Sequence, residues 1–301
     1  MSNKTTETSK AGFKQEIGLF GGVSMLGSIM IGGGIFYLGS YVLQRTDFSM
    51  GLSLLCWVIG GIITMLGGLC FAEMGAMLPK AGGMTVYLNT AFHPLVGFLN
   101  GFNSWLLSGA GSLAAGALAF SAIFGLTGTT GKLVASALMI AFTAYNMLGI
   151  KAGSMFQNFT MVAKLIPIAI IMISAFLMGD VSPDLTILPE GTSFDFSSFI
   201  RMTAFATLAT LWAYEGWINL NTVSEEMKNP KRNLPLSLII AIGGITLLYV
   251  LFNYAIYRVI PADEVRSLID SENFYLGTEV AKRLLGGFGG VIVIIGMTIS
   301  Q

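Results

Sequence analysis

Charge is what this sequence has least of. Only 11% of its residues are charged, against 54% hydrophobic, where soluble domains carry about 25% charged residues. The formal net charge is zero, so the basic surface that nucleic-acid binding requires is missing. There is one histidine, His93, beside Pro94, and it reads as a solvated interfacial residue. The two cysteines, Cys56 and Cys70, fall in one apolar run. That excludes a disulfide framework and a Cys/His metal site. Neither an H-E-x-x-H nor a G-x-S-x-G pattern occurs, so no enzyme, metal or cofactor is expected. The opening stretch Met1–Lys14 is polar, and the first apolar run is too long for a signal-peptide core. Residues 1–16 therefore read as a short cytosolic tail.

What is present is a series of long apolar runs, each the length that crosses a bilayer. About eight spans are counted on the ~20-residue rule: Ile17–Leu43, Ser49–Leu78, Leu95–Phe124, Lys132–Leu148, Ser154–Met178, Phe199–Val223, Pro235–Tyr257, and one starting near Thr278. The eighth is still apolar at Gln301, so residues 17–301 read as one transmembrane domain whose last helices are cut short. Orientation follows from lysine and arginine in short loops. With the N-terminus inside, Lys4, Lys10, Lys14, Lys80, Lys151, Lys228, Lys231 and Arg232 are all cytoplasmic. The opposite loop, Asp180–Ser198, carries Asp180, Asp184, Glu190 and Asp195 and no basic residue.

Two of these spans contain sequence that does not suit a helix. The first holds Gly27-Ser28-Ile29-Met30-Ile31-Gly32-Gly33-Gly34-Ile35-Phe36. Each glycine gives up about 1 kcal/mol of helix propensity relative to alanine. Packing motifs space small residues four apart rather than placing three together, so an unwound segment is expected here. Such backbone persists at membrane depth only when it faces protein or a water-filled cavity. The sixth span reads Trp212-Ala213-Tyr214-Glu215-Gly216-Trp217, with a carboxylate and a glycine at mid-membrane. Glu215 must face a cavity or a partner. Two interrupted helices five spans apart suggest an inverted repeat of five helices, with a site where the breaks meet.

Other polar residues are weighed against that site. Lys164 lies deep in the fifth span, where a lysine costs at least about 2.5 kcal/mol on insertion scales. It shares a face with Gln157 and Thr160 and points into the bundle. Glu73 reads as an interfacial carboxylate. Asn100, Ser104, Ser108 and Ser112 form one stripe, either interhelical hydrogen-bonding groups or the wall of a polar cavity; the sequence leaves both open. A channel would need a continuous polar pore, and the polarity here gathers at two breaks.

These residues resemble the amino acid–polyamine–organocation superfamily and, within it, the L-type amino-acid transporter family. The first-helix match is Gly32-Gly33-Gly34-Ile35-Phe36, with Ser28, Ile29 and Gly33 departing from the family pattern. Ala72-Glu73-Met74-Gly75 with Pro79 and Gly82-Gly83 resembles a second family block. The most specific match runs from Ala213-Tyr214-Glu215-Gly216-Trp217 through Glu225-Glu226-Met227-Lys228-Asn229-Pro230 to Leu234-Pro235. The resemblance implies an all-α, leucine-transporter-type fold of twelve helices with a 5+5 inverted repeat, discontinuous in helices 1 and 6, here ending within helix 8.

It also implies a bacterial-type transporter in the plasma membrane, working by sodium-independent exchange on cationic or neutral L-amino acids. A proton-coupled symporter of the same fold is the alternative. Amides from Ile31 to Gly34 would hold the substrate carboxylate. Carbonyls of Met30, Ile31, Trp212, Ala213 and Glu215 would hold its ammonium, with Gly216 beside them. Trp212 would be an aromatic gate. Lys164 would stand where sodium sits in sodium-coupled relatives, tying the fifth helix to the first break and to Thr298 or Ser300 of the eighth. Glu215 would favour a cationic substrate, or else be protonated or paired beside a neutral one. The loop Gly125–Gly131 has no cysteine, so no disulfide-linked accessory subunit is expected.

Overall fold

The computed structural model describes residues 14–147, 150–188, 195–271 and 273–300. The described residues are helical, joined by short turns, apart from one isolated parallel bridge between Ile17 and Met227. The first apolar segment is broken. Helix α1 (Leu19–Met30) ends in extended backbone at Ile31 and Gly32, a 3-10 turn follows at Gly33–Phe36, and α2 (Leu38–Arg45) resumes. None of the three glycines has a positive φ. They stop the helix through poor propensity rather than through a left-handed turn.

Helix α3 (Met50–Met77) starts at Ser49, whose hydroxyl accepts the Leu52 N–H. Helix α4 (Met84–Ala91) leads to α5 (Pro94–Asn103), where the His93 Nδ1 accepts the Leu95 N–H at the N-terminus. A π-helical turn at Ser104–Gly109 joins α5 to α6 (Ala110–Ile123). Then come α7 (Gly128–Asn146), α8 (Ile150–Met178) and α9 (Phe196–Ala213), the last capped by the Asp195 carboxylate on the Ser197 and Ser198 amides. The sixth span breaks after Ala213, turns through Gly216 at φ +112°, and continues only as the single turn α10 (Asn219–Thr222) and a 3-10 turn at Ser224–Glu226. Helix α11 (Pro230–Tyr257) starts five residues before Pro235, with Pro230 placed where its missing N–H costs nothing.

Among the described residues, four helices are long and apolar enough to cross a membrane: Met50–Met77, Pro94–Ile123, Asn158–Met178 and Pro230–Tyr257. The sequence reading counts about eight spans on the ~20-residue rule, and the breaks account for part of the difference. The first and sixth spans are each divided into shorter pieces. The eighth also needs correcting. Thr278 belongs to α13 (Leu276–Leu285), whose last turn carries Lys282 and Arg283. Gly286 turns at φ +61°, and the apolar helix α14 (Gly287–Ser300) begins only then. Like α12 (Ala262–Asp270), α13 is amphipathic, and the apolar faces of the two, Val265, Ile269, Leu276, Val280 and Ala281, are buried in the core.

The core lies where α1, α3 and α11 pack together. Trp57, Tyr214, Tyr249, Phe252 and Tyr257 are fully buried in it. Close approach depends on small residues on α3: a Cβ at Gly60 would run into the Thr210 hydroxyl, and one at Gly61 into the Thr246 hydroxyl. The stripe on the third span is divided in use. Asn100 donates to the Thr85 hydroxyl at 3.0 Å, so it ties α5 to α4, while Ser104, Ser108 and Ser112 are exposed. Glu73 and His93 are exposed, in keeping with interfacial positions.

Candidate functional site

A helix that stops inside an apolar core leaves its last carbonyls without partners. In α1 the Ile31 N–H still closes the final turn on the Gly27 carbonyl at 3.0 Å. The carbonyls of Ser28, Met30 and Ile31 are taken up by side chains from other helices. Lys164 of α8 donates through Nζ to Ser28 at 2.7 Å and to Ile31 at 2.9 Å. The Tyr249 hydroxyl of α11 lies 2.8 Å from the Met30 carbonyl oxygen. A cationic side chain at this end also meets the negative pole of the helix dipole. Lys164 is 7% exposed, so these carbonyls are its main source of solvation.

The second break joins the same network. The Tyr249 hydroxyl is also 2.9 Å from the Ala213 carbonyl oxygen, the last residue of α9. One hydroxyl has one proton, so it donates to either carbonyl in turn and holds the two chain breaks together. Around it, Trp57, Tyr214 and Tyr249 form a triangle with ring centroids 5.2–6.2 Å apart. Tyr214 donates to the Trp57 carbonyl at 2.9 Å, which fixes the ring beside the break. Contact is direct as well: a Cβ on Gly216 would lie 2.5 Å from Ile29 Cγ2 and 3.6 Å from Met30 Cγ.

On the other side of the first break the backbone donors are free. Gly32, Gly33 and Gly34 have no acceptor for their amides among the described residues. The site therefore presents unpaired N–H groups after the break and partly engaged carbonyls before it. Bare amides in this arrangement suit an anionic group, and carbonyls suit a cationic one.

The candidate residues divide on this geometry. Met30, Ala213 and Gly216 are brought together, and Ile31 and Lys164 join them. The Ile31 amide, expected among the free donors, is instead spent within α1. The Trp212 carbonyl accepts the Glu215 N–H at 3.3 Å. The Trp212 side chain is 67% exposed and closes over nothing described. Glu215 is exposed too, and no ion pair reaches it among the described residues. Thr298 Oγ1 is buried without a hydrogen-bond partner among the described residues, so it does not bind Lys164. The helix register explains this, since Gly296 packs on Pro167 and Thr298 lies about 200° round the helix from it. The side chains of Ser300 and Gln157 lie outside the described residues.

Tyr249, Tyr214 and Trp57 complete the site, and motif and spacing alone do not single them out. One sequence signal points to them. A tyrosine hydroxyl deep in an apolar helix has to find a partner, and that of Tyr249 finds the carbonyls of both breaks.

The amino acid permease family model matches residues 17–301. The b(0,+)-type amino acid transporter 1 of Mus musculus is 34% identical over 279 residues, covering 88% of this chain and 55% of that protein. The serine/threonine exchanger SteT of Bacillus subtilis is 31% identical over 297 residues, covering 97% of this chain and 65% of that protein. The cystine/glutamate transporter of Pongo abelii is 29% identical over 293 residues, covering 95% and 57%. The chain thus spans between about half and two-thirds of the length of these relatives. On these matches the chain belongs to the amino acid permease family of the amino acid–polyamine–organocation superfamily, as an L-type amino-acid transporter family member.

Proposed function

We propose that this protein is a secondary transporter that moves amino acids across the plasma membrane by alternating access. The observation that carries the reading is the meeting of the two breaks: Gly216 against Ile29 and Met30, with Tyr249 between the Met30 and Ala213 carbonyls. The substrate carboxylate binds the amides of Gly32, Gly33 and Gly34. Its ammonium takes the second lone pairs of the Met30 and Ala213 carbonyls, with Ile31, Trp212 and Glu215 supplying the neighbouring carbonyls. The Trp212 ring, 67% exposed here, would gate the site only by turning in over the two breaks. The arrangement belongs to a 5+5 inverted repeat in which the broken helices correspond. Residues 17–301 form one transmembrane domain, and residues 1–16 are a cytosolic tail.

Coupling follows from Lys164. Its Nζ occupies the end of α1 on the Ser28 and Ile31 carbonyls, where a bound cation would otherwise neutralise them. Transport is therefore sodium-independent, and exchange is the favoured mode. The name of one relative, a serine/threonine exchanger, agrees with exchange, and that of another, a cystine/glutamate transporter, with transport of amino acids. Glu215, exposed beside the second break, extends the range to cationic as well as neutral L-amino acids. No disulfide-linked subunit takes part, because the loop Gly125–Gly131 offers no cysteine.

Uptake of labelled arginine, leucine and serine into proteoliposomes made from the full-length protein tests this. Uptake that needs internal amino acid, and is unchanged by sodium or a pH gradient, is the expected result. Uptake driven by a pH gradient into empty vesicles would replace exchange with proton symport. No uptake of any of the three would remove the amino-acid reading.

A further inference from the structure

Away from the breaks, three separate chain segments are tied together at the end of the bundle that the lysine-rich loops assign to the cytoplasm. The first is the residue leading into α1. Ile17 donates its N–H to the Glu226 carbonyl at 3.0 Å and accepts the Lys228 N–H at 2.8 Å, as a one-residue parallel bridge. The second is the tight loop between α3 and α4. There the Ala81 N–H donates to Glu225 Oε2 at 3.0 Å, the Gly82 N–H to the Thr222 carbonyl at 3.1 Å, and the Ser224 hydroxyl to the Lys80 carbonyl at 3.3 Å. The third, Thr222–Lys228, lies between the other two and bonds to both.

We propose that Glu225 is a gate-locking residue. Its carboxylate fastens the α3–α4 loop to the segment after the second break, and the Ile17 bridge clamps that segment from the other side. Together they hold this end of the transport path shut. The inference rests on the alternating-access reading above, because a lock has meaning only if this end opens. Glu225 touches no substrate and acts through position alone.

Three features make this a releasable lock rather than ordinary packing. Only the Glu225 bond is charge-assisted, so it is the strongest single tie. The other ties are single backbone or hydroxyl bonds. The segment it holds is short, a single helical turn and a 3-10 turn, with little helix of its own to resist movement. Beneath it, Asn221 is fully buried, and its Nδ2 has no partner among the described residues. An unpaired buried donor raises the free energy of the closed arrangement, and water would relieve it on opening. The closed state is therefore held by a few bonds against a built-in cost.

Hydrogen–deuterium exchange on the full-length protein in nanodiscs tests the lock without any substrate. The expected result for Glu225→Ala is faster exchange, by roughly tenfold, the scale of one charge-assisted hydrogen bond. The rise should extend beyond the Ala81 amide to Gly82, Ile17 and Lys228, because the three segments open as one. Glu225→Gln, which keeps the shape, should show a smaller rise in the same set. Ile17→Pro, which removes one donor from the opposite side, should raise exchange at Gly82. Acceleration confined to Ala81 would overturn the proposal and leave the transport reading intact. Joint acceleration in a protein that takes up no amino acid would support the lock and remove only the choice of amino acids as substrate.

Discussion

The Tyr249 hydroxyl stands 2.8 Å from the Met30 carbonyl oxygen, on the last residue of a helix that ends inside the bundle. The same hydroxyl is 2.9 Å from the Ala213 carbonyl oxygen. A phenol thus takes the place that water would fill at an exposed helix end. Tyr249→Phe keeps the ring triangle and removes only the shared donor. Two buried carbonyls are then under-satisfied, at a cost of about 1–3 kcal/mol. We expect a lower melting temperature and an initial uptake rate reduced by roughly tenfold or more, the factor that corresponds to about 1.4 kcal/mol. An unchanged melting temperature would show that the carbonyls find another donor.

Lys164 makes the second such tie, and the prediction for it separates folding from transport. Lys164→Ala removes a buried amino group together with its desolvation cost, so the protein should still insert and fold. The Ser28 and Ile31 carbonyls lose their cross-link to α8, and substrate uptake should fall sharply. Monodisperse protein with little uptake is the expected result. Normal turnover would show that the tie is structural only.

Both breaks are legible in the sequence because glycine runs and a mid-span carboxylate stand out against apolar helix. Their joint is not, because Tyr249 looks like any aromatic residue of an apolar span until the neighbouring carbonyls are in place. The boundary near Thr278 is misplaced for a related reason. Val280, Ala281, Leu284 and Leu285 continue the apolar count of α14, and only the positive φ at Gly286 shows that the chain turns. The exposed Trp212 shows a third limit, since periodicity does not report which face of a broken helix meets the bundle.

Gly216 tests the contact between the breaks. Its φ of +112° excludes a side chain, and so does Ile29, whose Cγ2 would stand 2.5 Å from any Cβ at this position. Gly216→Ala should therefore cost about 1–3 kcal/mol in backbone strain alone and separate the two breaks. Gly111→Ala in α6 is the matched control, because nothing lies within 4 Å of a Cβ there. In a helix interior that change should be neutral or stabilising by up to about 1 kcal/mol. Thermal melts of the two variants side by side make the comparison.

On their exposed faces, α12 and α13 are joined by Arg283, which donates through Nη1 to Glu264 at 2.8 Å and also reaches Glu279. The guanidinium holds the Glu264 carboxyl below its usual range. A depressed carboxyl contributes stability above its unfolded pKa, about 4.3, and loses it as pH falls through the folded value. The pair is partly exposed, so the contribution is about 0–1 kcal/mol after screening. Acidification below about pH 4.3 should loosen α12 from α13, read as faster amide exchange in both helices. Arg283→Gln should remove most of that pH dependence.

Glu215 carries the last prediction, which concerns selectivity. It is exposed beside the Ala213 carbonyl and Gly216, and no cation pairs with it among the described residues. A carboxylate left open at a substrate site attracts a second positive charge on the substrate side chain. In a site screened as at a protein surface, two charges about 4 Å apart interact by about 4 kcal/mol before desolvation is subtracted. The net preference for arginine over leucine will be a small fraction of that, because both charges lose water on meeting. Glu215→Gly should therefore lower arginine uptake more than leucine or serine uptake, by roughly tenfold in the ratio if about 1.4 kcal/mol survives. Competition of unlabelled arginine against labelled leucine reads the ratio directly. Equal losses for all three amino acids would place Glu215 in the backbone of the break rather than in the choice of substrate.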